Sequence, residues 1–449
     1  NLVSLGIYAF GSCTGLTDVD VQVVKNDVDE FGTVRCNVLA VDAFRIAPES
    51  ENSTSISQKI YTVQNVKIGA GVGIFDIGGV FGNMLQKVDV DVNNLNFASE
   101  DGVVYSKSFD EIMFYPSLKE GEFVLHENVV TINAGVFAGA TLLTKVTLGE
   151  KVTSIGDNAF KGCTGLTQVV FADAASVAEG HTMTIGESAF EGCYYLAEIV
   201  LPAYLTEIGN RAFAACSRLT EITVPGSVKT VGNEAFTICH ALITVTFEEG
   251  VETIGTEVFK NCGALKTVNF PASLVSVAEG DESPFTNMFY GCGSIDKVNI
   301  AEGNVKYASV DGIVYGYTEK GEEGSKENVI TDLLYCPVGA SGVDGVVDIP
   351  KTIERIFAGA FKNNKNIIEI KFSEGIEGDL DIGEDAFNGC QKLAAITLPS
   401  GFKVMRTGLF NGCSSLVTLT IPNTVTEMQV DIFKGCNNIE NIIFEEGNE

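Results

Sequence analysis

Ten of the twelve cysteines in this 449-residue chain stand three residues after a phenylalanine. The pairs are Phe10/Cys13, Phe160/Cys163, Phe190/Cys193, Phe213/Cys216, Phe236/Cys239, Phe259/Cys262, Phe289/Cys292, Phe387/Cys390, Phe410/Cys413 and Phe433/Cys436. From Cys193 to Cys262, and again from Cys390 to Cys436, successive thiols are 23 residues apart. Two more units keep the phenylalanine and lose the thiol, Phe137 with Ala140 and Phe361 with Asn364. A degenerate one centres on Phe81, with Met84 in the cysteine place. Self-similarity at such a period specifies stacked supersecondary units, none of which can bury its apolar face alone. A single globular core is thereby excluded, and a chain of this length is too long for one in any case.

Within one unit, residues 219–225 spell L-x-x-I-x-V-P. Alternation at period two with β-branched residues predicts a short strand, which Pro225 closes because it cannot donate to a further ladder bond. A shorter extended piece ends at Gly232. The third piece, residues 233–239, is expected to be one helical turn, with Asn233 as N-cap and Asp157, Asn210 and Thr256 in equivalent places. A strand of this form in a 23-residue unit resembles a leucine-rich repeat. The I-G-x-x-A-F-x-x-C signature, complete at residues 155–163, is similar to the BspA-like class of bacterial surface repeats. The resemblance covers about residues 1–20 and 125–449. It implies a β-rich α/β solenoid: a leucine-rich repeat fold of about 12–13 units, one parallel strand in each, short helical turns opposite, and β-hairpin insertions.

The interruptions repeat as well. N-F-A-S-E-D-G-V-V-Y at 96–105, followed by F-Y-P at 114–116, returns as K-Y-A-S-V-D-G-I-V-Y at 306–315 and L-Y-C-P at 334–337. Asp-Gly between alternating hydrophobics is a hairpin signal. Two smaller inserts share S-V-A-E-G, at 176–180 and 276–280, and stretch the local period to 30. The chain is expected to comprise a partial repeat at 1–20 and an irregular β-containing insert with one degenerate repeat at 21–95. Hairpin inserts at 96–124 and 306–340 alternate with repeats at 125–305 and 341–449. The first residues read as the second half of a unit, and the last as a strand without its following turn. Neither resembles a polar cap, so the chain is expected to be a fragment of a longer surface protein or to pair at its ends with neighbouring chains.

A formal charge of −30 repels phosphate backbones and anionic lipid. No run of 18 apolar residues exists to form a membrane-spanning helix, so direct membrane insertion is not expected. The three histidines, His126, His181 and His240, lie far apart in the sequence. No nucleophile elbow, clustered Cys/His ligand set or calcium loop is present. No catalytic residue, metal site or cofactor is therefore expected. Disulfides are not expected in the cysteine column, since stacked side chains all point the same way and disulfide geometry is not met by translation. The repeat cysteines are expected to be free, buried filler, with Cys36 and Cys336 off the column.

The strand face carries the remaining information. The third and fifth residues of each L-x-x-I-x-V point outward. The candidate ligand-binding residues on this concave face are Gln168, Glu198, Glu221, Thr223, Thr244, Thr246, Thr267, Asn269, Lys297 and Asn299. Over twelve units, eight of 24 outward positions are Thr, with five acidic and three basic residues, so most of the −30 lies elsewhere. Thr is also simply a good solvent-facing strand residue. No aromatic stands on the ladder, which favours a protein ligand over a stacked sugar, with glycan left open. The resemblance implies an exported, extracellular or cell-surface bacterial protein that recognises host matrix or cell-surface proteins. The alternative is a passive spacer within a larger surface protein.

Overall fold

Parallel pairing at a constant sequence offset organises the chain. The structure is a computed structural model that describes residues 4–5, 17–21, 38–39, 64–70, 84–278, 283–322, 325, 327–373, 376 and 379–447. It divides into two units, Asn1–Ser217 and Arg218–Glu449. Each is a β-solenoid with turns of about 23 residues and very little helix.

In the first unit, Asp18–Val21, Asn65–Ile68 and Lys87–Val90 form one parallel sheet, and Gly121–Val124, Leu143–Thr147 and Gln168–Val170 another. A second wall runs through Thr131–Ile132, Ser154–Ile155, Met183–Ile185 and Leu205–Ile208, again parallel. In the second unit, Glu221–Val224, Thr244–Phe247, Thr267–Phe270 and Lys297–Ile300 pair in parallel. Val346–Ile349, Glu369–Phe372 and Ala395–Ile396 do likewise. The strand at Asn65–Ile68 belongs to a region that fits no repeat by sequence. Phe81 lies outside the described residues.

The 30-residue units keep this register. Ser154 pairs with Thr184, and Thr267 with Lys297. The two S-V-A-E-G inserts nevertheless differ in setting. Residues 176–180 form a mostly exposed loop ahead of the Met183–Ile185 strand, whereas Ser276–Val277 is itself a wall strand paired with Thr253–Ile254.

The expected helical turn is not one. The only α-helix among the described residues is Pro284–Met288. In the first unit Asn158, Ser188 and Arg211 have φ of 57°, 54° and 55°, and Gly162, Gly192 and Ala215 have 71°, 75° and 58°. Two left-handed residues in each segment forbid a continuous right-handed helix. Alternate N–H groups donate instead to the next turn: Asn158 to Glu187 O at 2.8 Å, Phe160 to Ala189 O at 2.7 Å, Gly162 to Glu191 O at 2.7 Å. Asp157 and Asn233 accordingly cap a neighbour and not their own turn. Asp157 Oδ1 accepts the Glu187 N–H at 2.8 Å, and Asn233 Oδ1 the Thr256 N–H at 2.9 Å. The glycine of the I-G pair follows from this closeness, since a Cβ on Gly156 would lie 2.8 Å from Ala134 N.

Inside, phenylalanine rings stack in columns. Phe160 and Phe190 are 5.1 Å apart and 1° from parallel in the first unit, and Phe410 and Phe433 are 6.0 Å and 3° in the second. The ten described cysteines are free and buried. Cys13 and Cys36 lie outside the described residues. The thiols are more than filler, because eight of them donate to a phenylalanine carbonyl one turn back. Cys163 donates to Phe137 O at 3.0 Å and Cys193 to Phe160 O at 3.2 Å. In the second unit Cys262, Cys390 and Cys436 donate to Phe236, Phe361 and Phe410 O at 3.1, 3.1 and 2.9 Å.

Each hairpin insert supplies an aromatic to these columns. Phe97–Glu100, Val103–Ser106 and Glu111–Phe114 are antiparallel, and the last continues in parallel to Thr131–Ile132. Tyr115 then sits 4.7 Å from Phe137. Tyr307–Val310, Ile313–Lys320 and Glu327–Tyr335 repeat the arrangement, with Glu327–Tyr335 pairing onto Arg355–Ile356 and Tyr335 5.1 Å from Phe289. Cys336 is therefore not off the column. It is buried, and Asn364, which stands in a cysteine place, reaches its Sγ at 3.7 Å. Cys336 follows its aromatic by one residue where the other thiols follow by three, which hides it from a spacing search.

Phe236→Ala should open a cavity costing about 3–5 kcal/mol, read as lost amide-exchange protection in the adjoining turns. Burial pushes the Cys163 thiol from 9.0 up to about 12. An unfolded thiol loses its proton near 9 while the folded one keeps it, so this contribution is full below pH 9 and declines as pH rises toward 12. The urea midpoint should fall between pH 9 and 11, less steeply in Cys163→Ala. Denaturation without reductant should expose at least ten reactive thiols in an Ellman assay; a majority tied up as disulfides would contradict the column.

Candidate functional site

The four-stranded sheet of the second unit brings eight of the candidate residues together. Glu221, Thr244, Thr267 and Lys297 stand opposite one another, as do Thr223, Thr246, Asn269 and Asn299. Inward neighbours Ile222, Val245, Val268 and Val298 are buried, so alternation forces the other set outward. Glu221, Thr223 and Lys297 are exposed, and the others half-buried. Three members of the second row are bonded in series: Asn299 Nδ2 donates to Asn269 Oδ1 at 2.7 Å, and Asn269 Nδ2 to Thr246 Oγ1 at 3.0 Å. This amide–hydroxyl chain holds the side chains in fixed orientations without a charge.

Gln168 and Glu198 belong to the first unit. Gln168 is exposed on the sheet with Lys145, which ion-pairs with Glu122 at 3.4 Å. Glu198 lies on a segment that alternates as expected, with Leu196 and Ile199 buried and Val200 84% exposed, yet is in no strand. The ladder expected through Glu198 is therefore interrupted there.

The histidines are engaged separately. His126 stacks on Phe109 at 4.3 Å, His181 Nε2 meets Val152 O at 3.0 Å, and His240 Nδ1 meets Asn261 O at 3.2 Å. Among the described residues no three His, Cys, Asp or Glu side chains converge as a metal site would require. Among the described residues Glu191 is the one strongly shifted carboxylate. Burial works to raise it, but hydrogen bonds from Arg211 and Lys161 prevail and hold it at about 2. It ties three successive turns of the first unit together, at 2.8 Å to Arg211 and 3.0 Å to Lys161, a structural role.

Sequence reasoning missed the buried asparagines that seat the hairpins. Asn304 Nδ2 donates to Leu274 O at 2.7 Å and to Pro271 and Ala272 O at 3.2 Å, while its Oδ1 accepts Lys306 and Tyr307 N–H at 2.8 and 2.7 Å. Asn94 does the same ahead of the first hairpin, donating to Gly69 O and accepting from Asn96 and Phe97. The signal was available as an Asn three residues before the aromatic in both inserts.

Residues 107–181, 174–280 and 346–449 match the profile described as BspA type leucine rich repeat region, which covers more than half of the sequence. The chain belongs to the BspA-type leucine-rich repeat family. A leucine-rich cell surface protein of Faecalibacterium prausnitzii A2-165 is similar in structure, with 24% identity over 78% of this chain and 94% of that one, at a TM-score of 0.57. The pneumococcal vaccine antigen PcpA is similar at 19% identity, 78% and 82% coverage and a TM-score of 0.53. At these identities the likeness concerns the fold. No curated protein matches the sequence. Membership of the BspA-type family points to a protein-interaction or surface role, among repeats used for binding and scaffolding. No helix among the described residues is long and apolar enough to cross a membrane.

Thr246→Ala should cost about 1 kcal/mol or less, since its partner stays near solvent. Asn304→Ala should cost about 3 kcal/mol, because it strands buried backbone groups. Urea unfolding of the full chain checks both, and equal losses would contradict the anchoring role of Asn304.

Proposed function

We propose that this is an exported surface protein that binds a protein ligand, a host matrix or cell-surface protein, on the Glu221–Asn299 face. The observation that carries this reading is the bonded row Asn299–Asn269–Thr246, flanked by Glu221 and Lys297. A polar, weakly charged surface whose side chains are already ordered loses little entropy on binding. Family membership and the absence of aromatics on this face support a protein over a sugar. Gln168 in the first unit is a further contact in this reading, and Glu198 an exposed one outside the strands. The activity is binding, without a catalytic residue, metal or cofactor.

The test is capture of purified fibronectin, laminin and collagen by the immobilised chain, beside a glycan array. Binding to at least one of these proteins is expected, with Thr244→Glu/Thr267→Glu weakening it at least tenfold at unchanged thermal stability. Retained binding in that variant would move the site elsewhere. Binding only on the glycan array would change the ligand class, and binding to neither would favour a passive spacer.

A further inference from the structure

In the second unit the Phe–Cys segments form a backbone ladder directed from each turn to the next. Glu234, Phe236 and Ile238 N–H donate to Thr256, Val258 and Lys260 O at 2.8, 3.1 and 2.8 Å. Asn261 N–H continues to Tyr290 O at 2.7 Å. The ladder resumes at Gly359, Phe361 and Asn363, whose N–H groups reach Glu384, Ala386 and Asn388 O at 2.9, 2.9 and 2.7 Å. Between these stretches one rung is open. By register, Gly291 N–H is the counterpart of Ile238 and Asn261 N–H, and Lys362 C=O of Lys260 and Tyr290 C=O. Among the described residues neither group has a hydrogen-bond partner.

The hairpin insert is the cause. Tyr335 fills the aromatic slot, and Cys336 N–H reaches Ala360 O at 2.8 Å, so the inner half of a turn is present. The outer half is not. A cleft of about 620 Å³ remains, walled by Tyr290 and Gly291 on one side and Lys362 and Asn363 on the other, with buried Tyr335 and Cys336 behind. Hydrogen-bonded chains lie about 4.8 Å apart, so one missing layer leaves room, roughly 9–10 Å, for a single extended backbone.

We infer that this cleft binds an extended polypeptide segment. Its backbone would accept from Gly291 N–H and donate to Lys362 C=O, restoring the rung as strand addition does at a sheet edge. The lysines assign its charge. Lys260 is paired with Glu257 and Lys362 with Asp385, each at 2.8 Å, whereas exposed Lys365 at the rim has no ion pair among the described residues. An acidic side chain of the segment meets Lys365. This site is separate from the strand face and does not rest on the function proposed for it.

The probe is a positional-scanning library of N-acetyl pentapeptide amides with Asp fixed at the centre, titrated to millimolar into the ¹⁵N-labelled full chain. Amide shifts are expected at Gly291 and around Lys362. Methylating the central peptide nitrogens of the best binder should weaken it at least tenfold, and Lys365→Glu at least fivefold, while Thr246→Ala has no effect. The inference is overturned if no library member shifts Gly291, if the N-methylated peptide binds equally well, or if the shifts map to the strand face.

Discussion

The phenylalanine carbonyl oxygens that accept a thiol from the following turn tie successive turns together. Phe160 O accepts the Cys163 N–H of its own turn at 3.1 Å and the Cys193 thiol of the next at 3.2 Å. Both lone pairs of a buried acceptor are thereby used, which matters because an unmet buried carbonyl costs about 1–3 kcal/mol. The Phe-x-x-Cys spacing is the covalent expression of that arrangement. A thiol suits the position because it is a small apolar body with a weak donor. At Asn364, one of the two positions without the thiol, the side chain supplies a different bond: Nδ2 donates to Pro337 O at 3.0 Å.

The hairpins follow the same rule. Each replaces one turn by a three-stranded detour whose last strand re-enters the wall, and each returns a tyrosine to the aromatic column. Loop length between fixed points is thermodynamically cheap, so the detour is tolerated once its root is secured. Asn94 and Asn304 secure it through buried side-chain bonds to the preceding loop.

The strands, their outward residues and the buried columns were legible because period 23 and period 2 coincide in one motif. The turns were misread as helical because Phe and Cys at i, i+3 fit a helix as well as they fit stacked turns. The left-handed residues that decide between them include Ser188, Arg211, Glu234 and Ile238, none of which advertises positive φ. Asn65–Ile68 and Gly121–Val124 were missed as repeat strands because no Phe–Cys segment leads into them. Eight of the ten candidate face residues came together, since register carries them. The open rung was invisible, because it arises from what the second hairpin omits.

The thiol column has a consequence for how the chain reaches its folded state. Before folding, every cysteine is an accessible nucleophile, and in an oxidising medium any two can couple. Once stacked, the ten described thiols are buried away from oxidant, and burial holds Cys163 protonated. The outcome depends on a race between stacking and oxidation. Contacts between neighbouring turns span only some 23 to 30 residues, and short-range contacts form fast. Local topology therefore acts as the antioxidant, and a variant that slows turn docking would accumulate crossed disulfides even if its final stability were unchanged.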